Sequence, residues 1–126
     1  MSQYPAFISH TVHLKNDSIF SDGALYAEEK NDPEKFMLNV FKSFNVIYPR
    51  FHKMDSMSKA GFIAAEILLQ KANPVIDEFK RGLIFQNSSS SYDTDLRYQQ
   101  SVFEIASPAL FVYTLPNIVM GEIAIR

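Results

Sequence analysis

Few residues in this chain could transfer a proton, attack an electrophile or hold a metal. The histidines are His10, His13 and His52, the grouped carboxylates are Glu28 with Glu29 and Asp93 with Asp95, and the clustered hydroxyls are Ser88, Ser89, Ser90 and Ser91. No cysteine is present, which removes disulfides, thiolate metal sites and a thiol nucleophile together. His10 and His13 lie in "AFISHTVHL", residues 6 to 14, where near alternation of β-branched, aromatic and polar residues predicts a strand. Positions 10 and 13 of a strand face opposite sides, so the two imidazoles make no natural metal pair. His52 sits in "YPRFHKMD" beside Arg50 and Lys53, the setting of a solvated loop histidine. The serine run lacks the glycines that let backbone amides close around a phosphate, and no G-x-S-x-G elbow is present, so a polar turn is expected. No set of nucleophile, base and orienting group emerges. The expectation is no catalytic residue, no metal and no cofactor.

The elements that must position these residues belong to one domain. The chain has 126 residues, 47% hydrophobic and 13% aromatic, with 11 Phe, 6 Tyr and no Trp. A chain of this size can bury roughly two-thirds of its unfolded surface, and this composition is globular rather than disordered. Twelve basic against fourteen acidic residues give a net charge of −2, so no long-range positive field would attract a phosphate backbone, and nucleic acid is not an expected partner. The first twenty residues carry no basic start followed by an apolar core, and no run approaches the ~20 apolar residues that span a bilayer. A cytoplasmic protein is expected.

After the strand at 6–14, "KNDSIFSDGALYAEEKND" is rich in turn formers and reads as loop. In "NDPEKFMLNVFKSFN", Asp32 is an N-cap and Pro33 suits the first helical position. Phe36, Val40 and Phe44, with Met37 and Phe41 beside them, form the apolar stripe of a helix that packs into the core. "MDSMSKAGFIAAEILLQKANP" predicts a second helix capped by Asp55 or Ser56. Ala60, Ile63, Ala64, Ile67 and Leu68 follow the helical template, and Pro74 lies beyond its end. Small residues at 60, 61, 64 and 65 invite another backbone to approach closely, which makes this helix central. "GLIFQ" at 82–86 reads as a buried strand. A helix follows the serines, capped by Ser91 or Asp93. "PALFVYTLPN" reads as a strand or extended segment, and "NIVMGEIAIR" as a helix from Asn117 in which Gly121 marks close backbone contact. The order β, loop, α, α, β, α, β, α predicts an α/β fold, a mixed sheet with helices packed on it.

Two stretches resemble the amino-terminal half of a β-ketoacyl synthase, a condensing enzyme of fatty acid and polyketide assembly with the thiolase fold. "FHKMDSMSKAGFIAAEILL" is similar to the family's segment in which an Arg- or Lys-Met-Asp sequence leads into an alanine-rich helix. "GLIFQNSSSSYDTD" followed by "SPALFVYTLPNIVMGEIAIR" is similar to the family's strand, its loop over the acyl pocket, and its helix that opens with Pro-Asn and carries a Gly a few residues on. The likeness extends over nearly the whole chain.

The resemblance implies a truncated thiolase-like fold over residues 1–126. It places Ser88, Ser89, Ser90, Ser91 and Tyr92 at the acyl-pocket loop, where serines stand in for the family's usual glycines. The family's cysteine nucleophile follows shortly after the element that here ends in "IAIR", and its catalytic histidines, or a histidine and a lysine, come later still. His10, His13 and His52 precede that point and inherit none of those duties. The chain is therefore expected to be non-catalytic by itself and to act by association, as a homo-oligomer or with a full-length ketosynthase, in fatty acid, polyketide or aryl-polyene and flexirubin-type pathways. Phe111, Tyr113, Leu115 and Met120 would line the associating face. Two other readings are a subunit of a split synthase, active only with a cysteine-bearing partner, and an acyl- or carrier-protein-binding module. In the last, Lys35, Lys42, Arg50, Lys53 and Lys59 would meet an acidic acyl carrier protein.

Overall fold

A computed structural model describes residues 5–72 and 77–125, which leaves Pro74 and Arg126 outside the described residues. The protein is mixed α/β, with a small antiparallel sheet and five α-helices among the described residues. Strands β1 (Val12–Leu14), β2 (Ser18–Ser21) and β3 (Ala24–Glu28) form a meander in that order. Helices α1 (Pro33–Ser43), α2 (Ser56–Lys71), α3 (Tyr92–Val102), α4 (Pro108–Val112) and α5 (Ile118–Ile125) follow. A 3-10 turn, Pro49–Lys53, joins the first two helices.

The sheet corrects two expectations. The segment read as loop holds β2 and β3, and its "SDG" is the turn between them. Asp22 and Gly23 have φ values of 51° and 81°, and Ser21 pairs with Ala24 across them. Two consecutive residues in the left-handed region are what a tight hairpin turn requires, and Asp-Gly supplies them at least steric cost. The turn also limits β1. The Asp22 carboxylate accepts the Thr11 amide at 2.8 Å and the Asp22 amide donates to the Thr11 carbonyl at 2.9 Å, so ladder pairing ends there and residues 5–10 lie exposed. The pairing of β2 with β3 slips by one residue between Ile19 and Phe20. Tyr26 is the extra residue of this bulge, which increases the local twist.

Two further strands are corrected. "GLIFQ" forms no strand among the described residues, and Ile84 is 96% exposed; an apolar run becomes a strand only where a neighbouring strand takes its backbone hydrogen bonds. "PALFV" is the helix α4. Pro108 occupies its first turn, where the missing N–H is no loss, and the Ser107 hydroxyl accepts the Leu110 amide at 3.3 Å. The sheet is thus antiparallel throughout and not mixed.

The helix readings hold. Asp32 caps α1 by accepting the Lys35 amide at 3.1 Å, and Asp55 caps α2 by accepting the Ser58 amide at 2.9 Å. Phe36, Val40 and Phe41 of the α1 stripe are buried, with Met37 and Phe44 packed at the margin. From α2, Phe62, Ile63 and Ile67 are fully buried. Phe41 and Phe51 stack at 4.0 Å with planes 5° apart, and Phe62 meets both edge-on at 6.0 and 5.6 Å. Tyr48 stacks on the same Phe62 at 5.2 Å. Edge-on pairs such as those of Phe62 add about 0.5–1.5 kcal/mol each beyond the area buried.

Helix α2 is the hub, in contact with α1, α5 and β1. The close approach falls at Gly61, where an added Cβ would stand 2.6 Å from Val119 Cγ1 of α5. Gly121, expected to mark such an approach, has nothing within 4 Å of the same construction. The small-residue face of α2 therefore admits α5, and the glycine of α5 has open space beside it.

Opposite outcomes follow for the two glycines. Gly61→Ala is expected to cost about 1–3 kcal/mol, because the β-branched, fully buried Val119 cannot move aside freely. Gly121→Ala is expected to gain up to about 1 kcal/mol of helix propensity. Denaturant unfolding of the two variants measures both, and Val119→Ala in the Gly61→Ala background should recover part of the loss.

Candidate functional site

Helix α5 is apolar at every described position except Gly121 and Glu122. Glu122 is only 3% exposed. A buried carboxylate must be paired and hydrogen-bonded, and three residues meet this one. Tyr48 donates its phenol to Oε2 at 2.6 Å, Tyr113 donates to Oε1 at 3.3 Å, and Arg50 Nη1 lies 4.0 Å from Oε2. Burial and the carboxylate together push the Tyr113 phenol up to about 12. Burial first, then the bond to Glu122, raises Tyr48 as well. The Tyr48 oxygen and then Glu122 hold the Arg50 guanidinium above its ordinary value. Both carboxylate oxygens are engaged from within, so Glu122 works as a clamp that fixes α5 against the 48–50 segment and Tyr113.

A second constellation surrounds the serine turn. Asn87 Oδ1 accepts the Ser89 and Ser90 amides at 2.7 and 2.8 Å, and Ser90 has φ 51°. The Asn87 side chain therefore takes up amides that a phosphate cradle would need free, in agreement with a polar turn. Ser91 is buried; its hydroxyl donates to the Thr114 carbonyl at 2.7 Å, with Asp95 Oδ1 at 3.2 Å. Ser91 stands at the N-cap position of α3, but its side chain makes no capping bond because it is turned to Thr114. Thr94 donates to Asp55 Oδ2 at 2.6 Å, which ties α3 to the cap of α2. Beside these groups opens a cleft of about 280 Å³, walled by Asp55, Ser56, Ser90, Asp93, Thr94 and Arg97. Asp93 and Arg97 form an ion pair at 3.0 Å on its rim. The hydroxyls here hold carbonyls and carboxylates, and no histidine lines the cleft, so the arrangement provides polar recognition and no activated nucleophile.

The predicted loop residues separate accordingly. Ser88, Ser89, Ser90 and Tyr92 are exposed, Tyr92 at 63%, and Ser91 is inside. On the predicted associating face, Phe111 and Leu115 are exposed and Met120 is half-buried. Tyr113 is corrected: only 5% exposed, it belongs to the core and to the Glu122 clamp.

Sequence reasoning missed the Tyr48–Arg50–Tyr113–Glu122 group. The one available signal was a lone carboxylate within an otherwise apolar helix. It also missed Asp22, whose Oδ2 lies 2.7 Å from Lys71 Nζ and 3.2 Å from His10 Nδ1. Lys71, the Thr11 amide and His10 hold that carboxyl well below the usual range, and the contact with Lys71 ties the hairpin turn to the end of α2. Among the described residues, no group of His, Asp and Glu could hold a metal ion, and no helix is long and apolar enough to cross a membrane.

No family model matches the chain, no curated protein matches it, and no solved structure matches it.

The clamp predicts an alkaline dependence. A phenol whose folded pKa exceeds its unfolded value keeps its proton longer in the native state. Its contribution to stability is complete below pH 10.0 and is lost as pH rises toward about 12 for Tyr113. Unfolding free energy should fall across that window, and Tyr113→Phe should flatten the fall while leaving stability near neutrality lower.

Proposed function

We propose that this chain is ketosynthase-like, similar to the amino-terminal half of the thiolase fold, and that it works by association with itself or with a full-length ketosynthase rather than by carbon–carbon chemistry of these residues alone. The pathways it would serve are those of fatty acid, polyketide or aryl-polyene and flexirubin-type assembly. The observation that carries the associative part is exposed surface. The folded chain of 14.4 kDa exposes 9446 Å², whereas a compact monomer of that mass exposes roughly 6,800 Å². Part of that excess belongs to the extended, exposed segments 5–10 and 86–90, and part to large apolar side chains.

Much of that surface is apolar. Val102, Phe103, Ile105, Phe111, Val112 and Leu115, from α3, α4 and the adjoining segments, are each at least 41% exposed. Helices α3 and α4 are in contact, and large exposed apolar side chains on adjoining elements mark an interaction surface. The ketosynthase part of the reading is supported by the motifs themselves. Met54 and Asp55 lead directly into the alanine-rich α2, and Pro116 and Asn117 lead into α5, in the order and spacing of the resemblance. The 126 residues supply no thiol, and under this reading the condensing nucleophile lies outside them.

The test is the mass in solution. Light scattering on the purified chain, alone and mixed with a full-length ketosynthase, should give a species heavier than the monomer in at least one case. Leu115→Glu together with Phe111→Glu should dissociate it by placing two charges in an apolar contact. A stable monomer under both conditions would overturn the associative reading. Elongation of an acyl thioester by the chain alone would overturn its non-catalytic part.

A further inference from the structure

One strand-forming segment of this chain has no strand beside it, and one strand has a bare edge. Residues 82–86, "GLIFQ", make no backbone hydrogen bond to another described residue. Ile84 is 96% exposed and Leu83 47%, and an added Cβ at Gly82 would meet nothing within 4 Å. A 3-10 turn, Glu78–Lys80, precedes the segment, and Asn87 Nδ2, which donates to Met57 Sδ at 3.3 Å, anchors its far end to α2. The bare edge is that of β3, which pairs only with β2 in the order β1-β2-β3. A cleft of about 370 Å³ opens between β3 and α1, walled on the strand side by Tyr26, Ala27, Glu28 and Glu29, so α1 leaves these residues accessible. An unpaired strand edge is a template for pairing with another chain, and an extended apolar segment is the kind of chain it accepts.

We propose that residues 81–86 of one chain add as an antiparallel strand to the β3 edge of a second copy, which returns the same contact. The order of charges selects this occupant and its direction. Strand β3 runs from apolar to acidic, Leu25 and Tyr26 before Glu28 and Glu29, and the donor segment runs from basic to apolar, Lys80 and Arg81 before Leu83 and Ile84. Only the antiparallel arrangement sets base against acid and apolar against apolar; a parallel one would lay Ile84 along the carboxylates. Opposite charges and apolar pairs facing each other across strands stabilise a ladder, and like charges oppose it. Glu28 and Lys80 are exposed, and neither has an ion-pair partner among the described residues. Gly82 or Leu83 then falls opposite the bulge at Tyr26, and the glycine lets the added strand follow the local bend. The other exposed candidate, residues 5–10, brings no lysine or arginine to the acidic end. Two such strands related by a two-fold axis close the assembly at a dimer. This inference rests on the self-association proposed above and assigns it a contact.

With no native cysteine in the chain, disulfide trapping gives a clean test. Chains carrying Leu25→Cys are mixed with chains carrying either Leu83→Cys or Ile84→Cys and oxidised, so that every bond formed joins two copies. A cross-link should form with one of these two partners and not with the other, because neighbouring positions of a strand face opposite sides. Lys80→Glu in the donor chain should slow the cross-link about threefold or more, and Glu28→Lys in the acceptor chain should restore it. Gln100→Cys, exposed on α3, should not link to Leu25→Cys. Equal linking by Leu83→Cys and Ile84→Cys, or a slowing that Glu28→Lys does not reverse, would reduce the contact to random collision and overturn the added strand. Light scattering on the same mixtures before oxidation separates this contact from the reading beneath it. A species heavier than the monomer that gives no cross-link overturns the strand exchange and leaves self-association standing, whereas a monomer that never cross-links overturns both.

Discussion

The contact between α2 and α5 at Gly61 and Val119 is the constraint on which the rest of the C-terminal half depends. A side chain larger than hydrogen at position 61 would meet Val119 at 2.6 Å, so the separation of the two helices is set by the absence of one carbon atom. That approach brings Glu122, one turn of α5 further on, to the phenols of Tyr48 and Tyr113. Once the carboxylate is buried there, removing either phenol would leave its acceptor capacity short, and unsatisfied buried polar groups cost about 1–3 kcal/mol each. Packing brings the helix in, and hydrogen bonding then fixes its rotation.

The same helix α2 organises the other side of the molecule. Its cap, Asp55, holds both the first turn of α2 and the hydroxyl of Thr94 from α3. Its far end carries Lys71, which reaches Asp22 in the β2–β3 turn. One helix thus receives α5 on its small-residue face, α3 at its start and the hairpin at its end. What α2 does not cover is the outer surface of α3 and α4, where Phe103 and Phe111 remain open. The proposed association would cover those large apolar side chains.

Legibility followed the range of the interaction. Asp32 and Asp55 as caps, Pro33 in the first turn and the stripe of Phe36, Val40 and Phe41 could all be read, because each rests on neighbours within a turn or two. The Asp22–Gly23 hairpin was equally local and was legible in principle; the abundance of turn formers around it obscured the short strands on either side. "GLIFQ" and "PALFV" were misread for a different reason. A continuous apolar run carries no period, and only the availability of a strand edge or a capping serine decides between extended chain and helix. The serine turn was read correctly as polar, since it lacked the glycines that a phosphate cradle needs. The clamp at Glu122 could not be assembled, because its members are separated by up to 74 positions.

By itself the sequence determined the chemical inventory and the local elements: no thiol, few histidines, two strongly capped helices and a face of small residues on the second. Those properties depend on composition and on contacts between residues close in the chain. Tertiary structure alone decided which small residue meets which helix, and that Tyr113 turns inward while Phe111 stays exposed. These are meetings between distant segments, set by how whole helices pack, and no local pattern of residue types encodes the distances that packing imposes.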